Sequence, residues 1–339
     1  MTAPRNQVIV GDAARELDRL PPESSDMVVT SPPYFRLRDY GVTGQLGLED
    51  AVTGWVDSLV TVSRRIRRVL TPQGTYWLNL GDTYSTGSRQ GASRKSLLLG
   101  PERLALAMIA DGWILRNKLV WQKTNGLPSS VRDRLTCKWE VIYVFAKEPR
   151  YFFDLDAIRV PHTSRPPQPR KDFVRPITRE SWRGPNGDDT SGLDLLKALG
   201  RSGHPLGKNP GDVIRYASSN FRGAHHATFP VGLIELLIRA GCPEARCTTC
   251  HQPWRRTLLR STDGRARRTS LGPSCSCRAA SEPGLVIDPF MGAGTTAIAA
   301  ERLGRNWLGI ELNRDFAILA EKRIQAARPI AAAHSPPAA

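Results

Sequence analysis

A serine, two prolines and a tyrosine end an apolar segment near the start of this sequence. Residues 26–30 are followed directly by Ser31, Pro32, Pro33 and Tyr34. The β-branched run is typical of a buried strand, and the prolines force an extended turn at its end, because each fixes φ and restrains the residue before it. Such a turn presents a hydroxyl, backbone carbonyls and an aromatic face. These groups can accept the hydrogens of an exocyclic amine and stack on the flat ring that carries it.

A glycine-rich turn lies near the other end of the chain. Residues 284–296 (GLVIDPFMGAGTT) predict a strand, a turn and the start of a helix, and residues 307–311 predict a second strand that ends in a carboxylate. Glycines let a ligand approach the backbone, and a helix N-terminus offers free amides. An acid at the end of the second strand can hold two ribose hydroxyls. The residues of this unit that we expect to contact such a ligand are Asp288, Phe290, Gly292, Gly294, Thr295 and Glu311.

Four of the six cysteines form two close pairs, Cys247 with Cys250 and Cys275 with Cys277. Two thiolate pairs on tight turns can close a tetrahedral zinc site. The segment that holds them, residues 243–282, cannot easily form a core of its own, so we expect a structural zinc ion to supply much of its folding free energy. Free thiols or a redox pair are the alternative. Cys242 and His251 are substitute ligands in the same part of the chain.

The composition favours a polyanionic partner. The formal net charge is +16, which points to nucleic acid, although a generally basic proteome would produce the same balance. No run of 18 apolar residues occurs, and the first residues lack the apolar core of a signal peptide, so we expect a soluble protein without a membrane partner. The expected location is the cytoplasm.

The motifs at the two ends of the chain resemble those of a known family. TSPPY at 30–34, DPFMGAGTT at 288–296 and GIE at 309–311 are similar to the amino-methylating DNA methyltransferases in their permuted β-group order. In that order the catalytic tetrapeptide comes first and the cofactor loop last. The resemblance covers most of residues 6–325 and is to site-specific cytosine-N4 enzymes of restriction-modification systems in particular. It implies S-adenosyl-L-methionine as the cofactor and double-stranded DNA as the substrate. It also implies a bacterial or phage gene and a location close to the nucleoid.

The resemblance also implies roles for individual residues. Ser31, Pro32, Pro33 and Tyr34 become the catalytic turn. Asp12 approaches the adenine amino group of the cofactor; from its position alone it would only cap a helix. The remaining assignments are Thr228, Phe229 and Pro230 at the methionine end of the cofactor, and Arg36, Arg38, Arg132 and Arg134 on two basic loops as candidate DNA contacts.

Strands that alternate with helices predict a doubly wound, mostly parallel α/β sheet of the Rossmann-like methyltransferase type. We expect helices at about 13–20, 51–70, 101–111 and 231–240, and either one long strand or a strand pair over 113–123. Ligands bind such sheets at the carboxyl ends of the strands, where the strand order reverses. The two turns can therefore face each other although they lie at opposite ends of the sequence.

Shifts in composition suggest the domain boundaries. We predict the catalytic half at 1–153, the cofactor half at 223–242 and 283–327, the zinc insert at 243–282 and a disordered tail at 328–339. Residues 154–222, rich in Pro, Gly, Arg and Ser, occupy the place at which the family carries its target-recognition region. We expect them to contact DNA and to be partly ordered only on binding, although a disordered linker would have the same composition.

The target base is predicted from the residue before the two prolines. In the family, serine there accompanies cytosine in most members and Asp or Asn accompanies adenine, so we expect methylation at cytosine N4, with adenine N6 as the alternative. No cysteine follows a proline, which excludes the Pro-Cys nucleophile of ring-carbon methyltransferases. An RNA methyltransferase, or a DNA-binding protein without activity, would also be compatible with this sequence. A partner restriction enzyme, and a monomeric or homodimeric state, stay open.

Overall fold

The structure, a computed structural model, describes residues 3–126, 128–163, 204–219, 229–260 and 266–328. The described residues form two compact units. The larger draws on Met1–Asp154, Gly211–Arg255 and Leu271–Ala339, and the smaller on Leu155–Pro210 and Arg256–Ser270. The predicted zinc insert is therefore divided between them: both cysteine pairs lie in the larger unit, and residues 256–270 lie in the smaller one.

The described residues form twelve strands and six α-helices. The strands are β1 (Gln7–Val10), β2 (Ser25–Thr30), β3 (Leu70–Leu80), β4 (Ile114–Lys123), β5 (Trp139–Ala146), β6 (Val213–Tyr216), β7 (Arg246–Cys247), β8 (Leu258–Arg260), β9 (Ala266–Arg268), β10 (Ser281–Glu282), β11 (Leu285–Asp288) and β12 (Asn306–Glu311). The helices are α1 (Ala13–Arg19), α2 (Val52–Val69), α3 (Gly100–Ala110), α4 (Val231–Gly241), α5 (Thr295–Arg302) and α6 (Arg314–Ala327). Each predicted helix is present, with ends that differ by one or two residues.

An eight-stranded sheet with the order β1-β12-β11-β2-β3-β5-β4-β6 forms the centre of the larger unit. Every strand runs in one direction except β5, which is antiparallel to both β3 and β4. The mostly parallel α/β architecture predicted from the sequence is thus confirmed. Residues 114–123 form one long strand, which decides between the two interpretations of that segment. β6 pairs with the free edge of β4, so this short run belongs to the sheet although composition placed it in the target-recognition region.

Helices cover both faces of the sheet. Val28 of β2 and Tyr76 of β3 are buried on one face in a core shared with Trp55 of α2, and α2 packs against α1 and α3. The neighbouring residues Met27 and Trp77 point to the other face, where they lie against Gly241 of α4. Because successive side chains of a strand alternate between faces, both layers bury apolar residues. Among the described helices, none is long and apolar enough to cross a membrane.

A buried arginine joins the amino end of β2 to the cysteine-bearing segment. Arg246 is 1% exposed. Its guanidinium donates to the Asp26 carboxylate at 3.0 Å and to the Ser24 carbonyl at 2.8 Å, and its Nε donates to Glu282 at 2.9 Å. Burial raises the pKa of Asp26, and the charge of Arg246 opposes that rise. The ion pair therefore ties β7 and β10 to a central strand.

Replacing Arg246 with alanine is expected to destabilise the fold strongly. Removal of one partner of a buried ion pair leaves an uncompensated charge, which costs about 3–5 kcal/mol. Chemical denaturation of the full chain measures the free energy of unfolding. Arg239→Ala, on the exposed side of α4, is the matched control and should change this free energy little. An Arg246→Ala protein as stable as the control would contradict the role assigned to the pair.

Candidate active site and metal centre

The two predicted turns meet at one cavity of about 340 Å³ at the carboxyl ends of the strands. The predicted residues that line this cavity are Asp12, Ser31, Pro32, Pro33, Tyr34, Arg38, Phe229, Phe290, Gly292, Thr295 and Glu311. The other predicted cofactor contacts that the structure describes, Pro230, Asp288 and Gly294, do not line it. Thr228 lies outside the described residues.

The buried side chain of Asp288 bonds to residues at both turns. Its Oδ1 accepts from the Thr30 hydroxyl at 2.5 Å and from the Phe290 amide at 3.1 Å, and its Oδ2 accepts from the Thr296 hydroxyl at 2.5 Å. The carboxyl group is 1% exposed, and burial raises its pKa to about 6 although these hydrogen bonds act to lower it. The residue before the catalytic turn is thereby bonded to the strand that carries the glycine turn. Asp288 acts on the cavity through this scaffold.

Two glycines are required by close packing around the glycine turn. Gly294 has φ +79° and caps α5, and a Cβ at this position would lie 3.1 Å from the side chain of Ala320 in α6. A Cβ at Gly309 of β12 would overlap the sulfur of Met291, at 1.7 Å. The glycine turn therefore lies directly against the next strand and helix. Gly309 serves this packing, which its place in the GIE motif alone does not reveal.

Glu311 closes the same turn from the end of β12. One carboxylate oxygen accepts from the Gly292 amide at 2.7 Å and the other from the Asn313 amide at 2.9 Å. Burial raises the pKa of Glu311, while the amides of Asn313 and Gly292 lower it. Nearby, the Thr295 hydroxyl is buried and has no hydrogen-bond partner among the described residues. A buried carboxylate and an unpartnered hydroxyl on one cavity wall suit a polar ligand.

The catalytic turn is held by bonds that the sequence did not reveal. The indole of Trp55 in α2 donates to the Pro33 carbonyl at 2.9 Å. The Ser31 hydroxyl lies 3.1 Å from that of Tyr34. The Tyr34 ring packs so closely on Gly81 that a Cβ there would approach it to 2.7 Å. Since the Pro33 carbonyl is engaged, the preceding carbonyl, that of Pro32, is the expected acceptor for an amine.

Three further polar residues line the cavity beside Tyr34. Glu140 of β5 accepts from the Tyr34 hydroxyl at 2.8 Å, Asn79 of β3 donates to both groups, and Lys123 of β4 forms an ion pair with Glu140. Burial, and secondly the charge of Glu140, raise the pKa of Tyr34 well above its usual value, so its hydroxyl stays protonated. Neither Lys123 nor Glu140 is among the site residues expected from the sequence.

The predicted DNA-contacting arginines differ in their surroundings. Arg36 donates to the Glu49 carbonyl at 2.8 Å and pairs with Asp50 at 3.1 Å, so it also holds the loop after the catalytic turn. Arg38 lines the cavity. Arg132 is exposed, and the Arg134 guanidinium lies 3.9 Å from the centre of the Tyr84 ring. Contact of these side chains with DNA stays a prediction.

The four predicted cysteine ligands come together. Among the described residues, the sulfur atoms of Cys247, Cys250, Cys275 and Cys277 all lie within 4.8 Å of one another. A tetrahedral zinc ion with Zn–S bonds of about 2.3 Å requires sulfur atoms about 3.8 Å apart, so the donor set fits zinc. The substitute ligands lie outside the group: the buried Cys242 thiol is directed to the Pro243 carbonyl, and the His251 ring contacts the Glu23 carbonyl at 3.0 Å.

Comparison with known proteins gives consistent matches. The chain is 32% identical to the Type II methyltransferase M.SmaI of Serratia marcescens, over 94% of this chain and 90% of that protein. It is 50% identical to M.SfiI of Streptomyces fimbriatus, over 45% of this chain and 38% of that protein. Among solved structures, the PvuII DNA methyltransferase (cytosine-N4-specific) has a TM-score of 0.58 at 18% identity and covers 96% of this chain and 92% of its own. The similarity to the PvuII enzyme is a similarity of fold.

A protein-family model also matches most of the chain. A family described as DNA methylase, the N6/N4 methyltransferases, matches residues 25–322. That span contains both the catalytic turn and the glycine turn, in the permuted order recognised in the sequence. The chain therefore belongs to the N6/N4 family of amino-methylating DNA methyltransferases.

Proposed function

We propose that this protein is a site-specific DNA methyltransferase that transfers a methyl group from S-adenosyl-L-methionine to cytosine N4 in duplex DNA. The observation that carries the proposal is the single cavity that Ser31 and Tyr34 share with Gly292 and Glu311. An amine bound at the first pair would lie beside a nucleoside bound at the second. The hydrogen bond between Thr30 and Asp288 fixes the distance between the two turns.

The residues of the glycine turn fit the cofactor. We assign Glu311 to the ribose hydroxyls, Asp12 to the adenine amino group and Phe229 to the methionine end, and the unpartnered Thr295 hydroxyl offers a further hydrogen bond. When bound, S-adenosyl-L-methionine supplies an activated methyl group on a sulfonium ion. Asp288 and Gly294 shape the turn that holds it, as their bonds and packing indicate.

The catalytic turn would activate the target amine. The lone pair of an aromatic amine is delocalised into its ring, so the nitrogen is a weak nucleophile. Hydrogen bonds from its two hydrogens to the Ser31 hydroxyl oxygen and the Pro32 carbonyl favour a tetrahedral nitrogen and free the lone pair. Transfer would form a nitrogen–methyl bond as the sulfur–methyl bond breaks, and the methylated nitrogen would release one proton to water. Because the base must leave the helix to reach the cavity, Tyr34 would stack on the flipped ring.

The choice of cytosine rests on Ser31 and on the family pattern that links serine to this base. The PvuII enzyme, whose fold this chain shares, is described as cytosine-N4-specific. Adenine N6 is the alternative target, because the chemistry of an amine acceptor is the same for both bases. We further propose duplex DNA as the partner, with the basic loops of Arg38 and Arg132 as contacts.

The test of this function is methyl transfer to DNA of mixed sequence. The full chain and tritiated S-adenosyl-L-methionine are incubated with unmethylated genomic DNA and, in a parallel reaction, with RNA. The digested nucleosides of both reactions are analysed by mass spectrometry. N4-methylcytosine is expected. N6-methyladenine would contradict the target base but keep the mechanism, and label that enters RNA instead of DNA would contradict the substrate. No label in either would favour a DNA-binding protein without activity.

Lowering the pH is expected to weaken cofactor affinity. The weakening should begin at a pH above the usual pKa range of glutamate. Burial raises the pKa of Glu311, while ribose hydroxyls are held best by the ionised carboxylate. Binding then favours loss of the proton, so affinity rises as the pH rises through the raised pKa. Titration calorimetry with S-adenosyl-L-methionine measures this dependence.

Two variants separate Glu311 from other titrating groups. Asp288, whose charge also acts on Glu311, remains in both. Glu311→Gln should bind weakly and lose the part of the pH dependence that Glu311 causes, whereas Glu321→Gln, an exposed glutamate of α6, should keep the wild-type profile. Equal profiles for wild type and Glu311→Gln would contradict the assignment.

We also propose that the four-cysteine cluster binds one structural zinc ion. The two cysteine pairs lie toward opposite ends of the inserted segment. β7, which begins with Arg246 at one end, pairs with β10 at the other end in antiparallel register. Arg246 and Glu282 of this pair bond to each other, and Arg246 bonds to Asp26 of β2. Zinc would therefore hold the two ends of the insert together where they are anchored to the amino end of the sheet, away from the cavity at the carboxyl ends.

A further inference from the structure

The polar residues beside Ser31 form a hydrogen-bond chain with a defined direction. The chain begins at Glu140, whose Oε1 pairs with Lys123 and whose Oε2 accepts from Tyr34 at 2.8 Å and from the Asn79 amide at 2.7 Å. An ionised carboxylate can only accept hydrogen bonds, whereas a hydroxyl both donates and accepts. Glu140 therefore determines which neighbours donate.

The direction is passed on at Tyr34. The Tyr34 hydroxyl has one hydrogen, and it donates that hydrogen to Glu140 in a hydrogen bond. The Tyr34 oxygen is then left as an acceptor for the Asn79 amide at 2.5 Å and for the Ser31 hydroxyl at 3.1 Å. The opposite orientation of the Asn79 amide would place its oxygen against the Glu140 carboxylate, so the amide nitrogen must face both groups. Asn79 is 4% exposed, which holds it in this position.

The direction of this hydrogen-bond chain determines how the Ser31 hydroxyl is oriented. A free serine hydroxyl rotates and can present either its hydrogen or its lone pairs to a ligand. Here its one hydrogen is directed to Tyr34. The Ser31 oxygen accepts from the Asn79 amide at 3.4 Å, and its second lone pair remains for the cavity that Ser31 lines. Activation of an amine requires hydrogen-bond acceptors for its hydrogens. A donor hydrogen of Ser31 in the same place would repel the amine hydrogens.

We propose that Glu140 is a positioning residue that, through Tyr34, makes Ser31 a hydrogen-bond acceptor for the target amine. This inference rests on the proposed methyl transfer and adds a cause for the orientation of the serine hydroxyl. The ion pair with Lys123 holds the Glu140 carboxylate in place. Tyr34 thus contributes its hydroxyl to the reaction as well as its ring to the base.

The decisive variant is Glu140→Gln, which keeps the size of the side chain. The Lys123 ammonium would bind the amide oxygen of the glutamine, so its NH₂ group would face Tyr34 and donate to it. The Tyr34 hydrogen would then turn toward Ser31, and the Ser31 hydrogen toward the amine. We expect the single-turnover rate on genomic DNA to fall about 100-fold, as when one hydrogen bond to a reacting group is lost, with unchanged affinity for S-adenosyl-L-methionine.

Tyr34→Phe distinguishes direction from packing. Phenylalanine keeps the ring but removes the relay, so the Ser31 hydrogen becomes free to rotate without being driven toward the amine. We expect a loss of about tenfold, smaller than that of Glu140→Gln. The double variant should be as fast as Tyr34→Phe alone and therefore faster than Glu140→Gln, because no hydroxyl remains to pass on the reversed direction. Losses that multiply would overturn the inference, since they indicate independent structural roles.

The control is Glu102→Gln, which alters a glutamate that also pairs with a lysine of β4, Lys118 at 2.7 Å, but does not line the cavity. It should keep the wild-type rate. If wild-type protein labels DNA and Glu140→Gln does so equally well, this inference fails and the proposed function stands; if wild-type protein labels no DNA, the proposed function fails first. Should Glu140→Gln not fold, an undiminished rate for Tyr34→Phe would still overturn the inference.

Discussion

Ser31→Ala is expected to lower the rate of methyl transfer about 100- to 1,000-fold, the range for removal of one group that stabilises a transition state directly. The variant removes the acceptor that faces the amine and leaves the glycine turn intact, so the affinity for S-adenosyl-L-methionine should change less than twofold. A loss in kcat without a loss in cofactor binding identifies an interaction made in the transition state. Single-turnover kinetics and calorimetry measure the two quantities separately.

The control for this experiment is Ser96→Ala, at an exposed serine that does not line the cavity. It should match the wild type in both measurements. A Ser31→Ala enzyme with the wild-type rate would remove the mechanism proposed for the catalytic turn. A variant that loses rate and cofactor affinity together would indicate instead that Ser31 organises the whole cavity.

The purified protein is expected to contain one zinc ion per chain, and its removal should destabilise the larger unit. Structural zinc sites contribute many kcal/mol to the folding of small modules. Since 1 kcal/mol moves Tm by about 2–4 °C in a domain of this size, chelation should lower Tm by roughly 10 °C or more. Elemental analysis counts the metal, and thermal unfolding before and after chelation measures its effect.

Variants of single cysteines sharpen the zinc experiment. Cys247→Ser, at the one buried cysteine of the cluster, should lose the metal and the thermal stability together. Cys137→Ser changes an exposed cysteine outside the cluster and should keep both. A metal-free wild-type protein with an unchanged Tm would reduce the four cysteines to ordinary thiols.

The sequence was sufficient for the sheet and for the two turns that face the cavity. Alternating strands and helices predicted the architecture, and the rule that ligands bind at the carboxyl ends of parallel strands brought Ser31 and Glu311 together. The predicted cysteine ligands also converged, because close thiol pairs restrict the geometry that their turns can adopt.

The supporting residues could not be predicted in the same way. Lys123 and Glu140 meet only because β4 and β5 pair in the register that sets Trp121 opposite Glu140, and periodicity does not specify register. Composition placed Val213–Tyr216 outside the sheet, because four residues give too short a pattern to show that they will pair with β4. Asp288 was predicted as a cofactor contact, yet its bonds to Thr30 and Thr296 depend on long-range packing.

The bond between Thr30 and Asp288 joins residues 258 positions apart and lies between adjacent central strands, β2 and β11. During synthesis at about 5–20 residues per second, β2 must therefore wait on the order of tens of seconds for its neighbour. In that interval the nascent chain carries a strand that is fully buried in the folded protein but still has one unpaired edge, a template for aggregation. A ribosome that stops before residue 285 would release a chain without β11 and β12. We therefore expect truncated products to depend on chaperones and to be degraded quickly.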